Sequence, residues 1–395
     1  MFAVLPIARK VLARLIAVLS ILWIAACEPS GLGGLGGGAG QPIDPGAPVV
    51  VALLVPHGSS APGEATLARD LEAAARMAVA DLSGVQIDLR VYGTAGQPAQ
   101  AQQAALHAVG DGAKIIIGPL HAESANAVAV AVAPKNVNVL AFSNNPTIAG
   151  GNLFVLGQTF DNTANRLTRF AARQGKKRIL TVYSNNLAGQ LGQQAIAKAA
   201  AAAGAQIVGN VGYDFSQNGV VTAVPKITAA ARSTSAEAIF ITANSAGALP
   251  LFAQMLPENG LDPASTQYIG LARWDTPAQT LDLPGVQGGW FAMPDQGKSS
   301  RFRSRFAQTN GNQPHPIAGL AYDGIAAVGA LIKTGNRNAL SKSGLTQSAG
   351  FQGVDGVFRL RNDGTNQRGL AVATVRGGKV VILDPAPQGF SGAGF

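Results

Sequence analysis

From Pro48 onward, uninterrupted apolar runs of strand length alternate with stretches of helical periodicity, and no other feature constrains the fold as strongly. The run PVVVALLVP, starting at Pro48, carries no polar position, as expected of a parallel strand buried on both faces. Thr66 to Leu82 then places Leu67, Leu71, Ala74, Ala78 and Leu82 on one helical face. VQIDLRVYGT, a helix over Gln97 to Val109, AKIIIGPL, a helix over Glu123 to Ala133 stopped by Pro134, and VNVLAFS continue the alternation. A second series starts near Phe160: a helix over Thr163 to Gln174, RILTVYS, an alanine-rich helix over Leu187 to Ala203, and AQIVGNVGY. A helix around Val221 to Arg232, AEAIFITAN, a helix around Gly247 to Leu256 and TQYIGLA complete it. Strands alternating with helices predict parallel sheets covered on both faces, here an α/β fold of two Rossmann-like lobes in tandem.

The remaining segments read as additions to these lobes. QGGWFAMP and helices over Ser300 to Thr309 and Ile317 to Lys333 are assigned to the first lobe. The segment from Phe351 reads as β-hairpins with turns at Asn362-Asp363-Gly364 and Arg376-Gly377-Gly378. The predicted boundaries are 48–157 and 290–338 for lobe 1, and 158–289 and 339–395 for lobe 2. Tyr322-Asp323 lies on a helix expected to pack at the hinge.

The first 47 residues follow another pattern. Arg9, Lys10 and Arg14 precede an apolar stretch, Leu15 to Ala26, too short to span a bilayer comfortably. Ile24-Ala25-Ala26-Cys27 then resembles a bacterial lipobox, and Cys27 is the only cysteine of the chain. The expectation is a leader over 1–26, cleavage after Ala26, and lipidation of Cys27, with 27–47 as a Gly/Pro-rich tether. By resemblance to bacterial sorting rules, Glu28 favours anchoring at the outer membrane, facing the periplasm, over the inner membrane.

Composition excludes several function classes. A lone cysteine gives no disulfide framework, and His57, His107, His121 and His315 have no ligand spacing, so no metal site is expected. Gly31-Leu32-Gly33-Gly34-Leu35-Gly36 fits GxGxxG without a flanking strand and helix, and Gly297-Lys298-Ser299 lacks the first glycine of a phosphate loop. No GxSxG elbow occurs, so no catalytic residue, cofactor or enzymatic activity is expected. Of the net charge of +9, three charges leave with the leader and six remain. For an exported chain, nucleic acid is not the expected partner. The densest basic stretch, Lys298 to Arg305, reads first as a solvated helix face with Phe302 and Phe306 inward. Its second reading is a docking surface formed by Lys298, Arg301 and Arg305.

IIIGPLHAESANAVAVAVAP followed by VNVLAFSNNP, together with the terminal FQGVDGVFRLRNDGTNQRGLAVATV, resembles the type I periplasmic binding protein fold, whose two lobes the chain crosses three times. Branched-chain amino-acid receptors and penicillin-binding protein activators share these markers. The lipobox, the segment Gly118 to Ser124 and the closing VVILDPAP look more like the activators. That resemblance implies a membrane-anchored lipoprotein that stimulates a penicillin-binding peptidoglycan synthase. The alternative is a substrate-binding lipoprotein of an ABC transporter for a small polar solute.

In open α/β sheets ligands bind beyond the carboxyl ends of the strands, near helix N-termini. The candidate cleft residues are therefore His57, Ser59, His121, Ser124, Ser143, Asn144, Asn145, Tyr183 and Asn185. Amino-acid receptors of this resemblance use a serine where this chain has Ala122, and Tyr-Gly where it has Ala188-Gly189. SNNP is shorter than the receptor loop, and Ala243-Asn244-Ser245 brings no acidic partner for an ammonium. An amino-acid ligand is thus not expected, while another small polar ligand stays open.

Overall fold

The computed structural model describes residues 39–390. Cys27, the leader and most of the tether lie outside the described residues. The first series forms β1 (Val49–Val55), α1 (Glu64–Asp81), β2 (Ile87–Gly93), α2 (Pro98–Gly110), β3 (Ile115–Ile117), α3 (Ala122–Val132), β4 (Asn138–Ala141) and β5 (Leu153–Val155). Its sheet runs β2-β1-β3-β4-β5, with every neighbouring pair parallel. The second series gives α4 (Phe160–Arg173), β6 (Arg178–Ser184), α5 (Leu187–Ala202), β7 (Gln206–Tyr213), α6 (Gln217–Ser233), β8 (Ala238–Ile241), α7 (Leu249–Glu258), β9 (Gln267–Gly270) and β10 (Trp290–Met293). The chain continues through α8 (Gln296–Asn310), α9 (Gly319–Ile332), the short α10 (Lys342–Leu345), β11 (Phe351–Gly353), β12 (Gly356–Leu360), β13 (Asn366–Arg368), β14 (Ala371–Arg376) and β15 (Lys379–Asp384).

The two-residue period of a strand explains how β1 serves two cores. Val51, Leu53 and Val55 pack with α1, α8 and α9, while Ala52 and Leu54 pack with the small residues of α2 and α3. The second sheet, β15-β14-β10-β9-β8-β6-β7, is parallel from β10 to β7 and antiparallel at β14 and β15.

Two expected boundaries move. Trp290–Met293, assigned above to the first lobe, lies between β9 and β14 in the second sheet. Its residues alternate between the two cores of that lobe, Phe291 and Met293 to one, Trp290 and Ala292 to the other. Conversely, Leu340, Leu345, Phe351, Phe358 and Leu360, assigned to the second lobe, are buried in the first-lobe core. The small antiparallel sheet β11-β12-β13 therefore caps lobe 1. The three crossings of the chain fall at 157–160, 293–296 and 368–371. The tether also ends earlier than expected. Ile43 is only 3% exposed in the first-lobe core, and its N–H bonds the Arg337 carbonyl at 2.9 Å.

Candidate ligand cleft

The cleft is built where strands of lobe 1 end. Gly118, directly after β3, has φ +90°, and a Cβ there would stand 2.1 Å from the Leu54 carbonyl oxygen. Only glycine makes that turn, and it delivers the chain to the N-terminus of α3, with His121 as N-cap and Ala122 as first helical residue. His121 provides no side-chain cap, so the first amides of α3 keep their anion-attracting character.

A cavity of about 900 Å³ opens between the lobes at this point. His121, Ala122, Ser143, Asn144 and Asn145 line its first-lobe wall, joined by Arg303 of α8. Arg273, Asp275 and Thr276 face them from lobe 2, and Asp355 and Arg368 come from the capping sheet at the hinge. Ser143 Oγ accepts the Asn145 N–H at 3.1 Å, and Asn145 Oδ1 accepts from Thr147. Asn144 is exposed and makes no hydrogen bond with a described side chain.

The charges of the cleft are unequally satisfied. Arg273 donates to Asp275 through Nε at 2.9 Å and Nη2 at 2.5 Å, a fork-to-carboxylate pair. Arg303 Nη1 donates to Ser299 Oγ at 2.6 Å, and no carboxylate among the described residues pairs with it. Asp355 faces the same space with no hydrogen bond to its carboxylate among the described residues. An acidic partner for a cationic ligand group, which the sequence does not offer at Ala243-Asn244-Ser245, is thus present in the turn between β11 and β12. His315, at the rim, has its pKa lowered by burial, against the opposing charge of Asp70.

The structure brings together His121, Ser143, Asn144 and Asn145 among the sequence candidates and leaves five outside the cavity. His57 bonds Glu72 on α1 at 3.0 Å, while His121 bonds Glu64 at 2.9 Å, so the two histidines face different carboxylates. Ser59 Oγ caps its own turn by accepting the Ala61 N–H. Ser124 is 1% exposed behind the start of α3. Asn185 Nδ2 donates to Asp214 at 2.9 Å, and Tyr183 lies on the same strand end, away from the cavity lining. Sequence reasoning missed Arg273, Arg303, Asp355 and Arg368. Arg303 carried a signal only in lying inside the basic stretch Lys298 to Arg305, directly after the inward Phe302.

Of the three proposed docking cations, only Arg301 has no partner among the described residues. Lys298 Nζ donates to Gln352 at 2.6 Å, and Arg305 Nη2 donates to both Asp81 oxygens at 2.8 Å. Among the described residues no group of three or more His, Cys, Asp or Glu is placed to hold a metal ion, and no helix is long and apolar enough to cross a membrane.

Comparison with solved structures finds the same architecture. A Rhodospirillum rubrum protein described as a branched-chain amino acid ABC transporter superposes with a TM-score of 0.71 at 17% identity, over 85% of this chain and 100% of that one. A branched-chain amino acid ABC transporter periplasmic ligand-binding protein from Burkholderia xenovorans gives 0.68 at 17% identity, over 87% and 97%. A solute-binding protein of an ABC transporter from Rhodopseudomonas palustris, in complex with 3,4-dihydroxybenzoic acid, gives 0.58 at 18% identity, over 86% and 98%. No curated protein matches the sequence. The sequence pattern of one family, described as periplasmic binding protein, matches residues 48–379, which hold every strand of the two lobes but β15, all three crossings and every residue of the cleft, and the chain belongs to that family.

Proposed function

We propose that this protein captures a small carboxylate-bearing solute between its lobes and hands it to a membrane transporter. The observation that carries the proposal is the cleft itself, with Arg303 offering a guanidinium that no carboxylate of the described residues neutralises. The N-terminus of α3 opens into the same space, and both features attract an anion. Similar structures hold 3,4-dihydroxybenzoic acid, leucine and benzoate, which share a carboxylate. Asp355 extends the range to solutes that also carry an ammonium. The resemblance to penicillin-binding protein activators gains no support specific to that family, and the pairing of Arg305 with Asp81 weakens the docking face it called for. Lipidation at Cys27 belongs to the same proposal. Cys27→Ser should then lose membrane association in cells, and a variant still processed and membrane-bound would count against it.

The test is a thermal-shift screen of the full chain with simple organic acids, aromatic acids and amino acids. A true ligand stabilises by RT ln(1 + [L]/Kd), about 2.7 kcal/mol at a hundredfold excess over Kd, and the shift saturates. No saturable shift with any carboxylate, together with stimulation of a purified peptidoglycan synthase, would replace this function with the activator one.

A further inference from the structure

A second cavity, of about 240 Å³, lies at the first and third chain crossings and shares only Arg368 with the cleft. Its walls come from both lobes. Asp161, Asn165 and Arg169 of α4 and Lys198 of α5 form one, and Arg361 and Asp363, in and beside the turn between β12 and β13, form the other. We propose that this hinge cavity is a binding site for a small tetrahedral oxyanion of the phosphate class, a function separate from solute capture in the cleft.

Arg169 carries the argument. It is half-buried, yet its guanidinium makes no hydrogen bond or ion pair with any described residue. A charge withdrawn from water needs a partner, and an arginine has five donors to satisfy. Lys198 meets Asp161 only at 3.5 Å, and Arg361 meets Asp363 only at 3.8 Å, so neither cation is firmly held. Deeper in the wall, Arg166 is committed to Asp384 at 3.0 Å and to carbonyls, but the same Asp384 also serves Arg173 at 2.6 Å. One carboxylate between two guanidinium groups leaves the surroundings positive. Arg169, Lys198 and Arg361 against Asp161 and Asp363 add a further positive charge.

The geometry selects the class of anion. Three loosely held cations stand on three different elements, so an acceptor must present oxygens in several directions. A tetrahedral phosphate does so, and a planar carboxylate does not. The volume corresponds to roughly eight liquid waters, room for a five-atom anion with residual hydration. Because Arg169 and Arg361 belong to different lobes, a bound anion would tie the lobes together at the hinge.

The experiment is calorimetric titration of the full chain with inorganic phosphate at fixed ionic strength, with chloride as the balancing anion. The wild type should bind one phosphate saturably. Arg169→Gln should bind at least about tenfold more weakly, the loss expected for a charged hydrogen-bonding group. Its melting temperature in chloride should not fall, since Arg169 has no partner to lose and its unpaired charge is itself a cost. Arg361→Gln, on an exposed turn, is the second variant and should also weaken binding. Absence of saturable phosphate binding by the wild type, or wild-type affinity in both variants, overturns the proposal.

Discussion

Asp323 of α9 and Arg368 of β13 form an ion pair at 3.3 Å with both side chains buried, 0% and 5% exposed. Asp323 Oδ1 also accepts the Val354 N–H at 2.7 Å, and Arg368 Nε and Nη2 both donate to the Leu156 carbonyl, Nε at 3.0 Å. Arg368 precedes the third crossing, Leu156 the first, and Val354 belongs to the capping sheet. The pair therefore joins the hinge strands to the core helix of lobe 1.

Burial pushes the Asp323 carboxyl up to about 6, outweighing the pull of Arg368 and the Val354 bond, while Asp355 adds repulsion. Between its ordinary value near 3.8 and about 6, the folded chain holds a proton that the unfolded chain has lost. The contribution of Asp323 is thus fully present below the unfolded pKa and is lost as pH rises through about 6. The expected loss is about 3 kcal/mol. Glu72 and Asp81 oppose it at lower pH. Burial raises both carboxyls, but hydrogen bonds from His57 and Arg76, and from Tyr322 and Arg305, leave them below their ordinary values. The readout is therefore the stability difference between wild type and Asp323→Asn from pH 4 to 7. A difference that does not change with pH would refute the assignment.

Gly118→Ala tests the turn that aims α3 at the cleft. At φ +90°, with Leu54 O at 2.1 Å from the new Cβ, the backbone must move. The expected cost is about 3 kcal/mol or more in denaturant unfolding, with weakened solute binding in whatever remains folded. A change under about 1 kcal/mol would show that the turn relaxes freely.

The parallel core was legible because strands such as Val49–Val55 and Ile115–Ile117 are buried on both faces and read as continuous apolar runs. The lobe boundaries were not. WFAM has the same apolar character whichever sheet it joins, and only its pairing with Ile269, Gly270 and the strand Ala371–Arg376 decides the matter. The strand ends of lobe 1 at Ser143 to Asn145 were found from topology, since the carboxyl-end rule needs only strand order. The contributions of α8, the hinge and lobe 2 were not found, because Arg303, Asp355 and Arg273 reach the cleft from a helix, a hairpin turn and a loop far apart in sequence. Tyr183 and Asn185 obey the same rule yet line no part of the cavity.

The Arg305 pair should matter little to stability. Its side chains are 54% and 34% exposed, and exposed pairs contribute under about 1 kcal/mol. Asp81 also accepts the Tyr322 hydroxyl at 2.6 Å, so Asp81→Ala should cost more than Arg305→Ala. A double-mutant cycle measures the coupling directly. A value above about 2 kcal/mol would mean the pair is far less solvated than its exposure indicates.

Arg303→Gln tests the anion site of the cleft. The wild-type side chain donates only to Ser299 Oγ among the described residues, so its removal leaves no buried carboxylate without a cation. Folding stability should fall by no more than about 1 kcal/mol. Affinity for the carboxylate solute found by screening should fall about tenfold to a hundredfold, the range for a lost hydrogen bond to a charged group. Arg303→Lys should recover part of it, because the charge returns without the planar fork. Arg301→Gln, on an exposed position of the same helix and outside the cavity lining, is the matched control and should bind as the wild type. Equal weakening in Arg301→Gln would point to a diffuse field of the helix. Wild-type affinity in Arg303→Gln would remove the residue, and with it the main support for an anionic solute, from the proposed function.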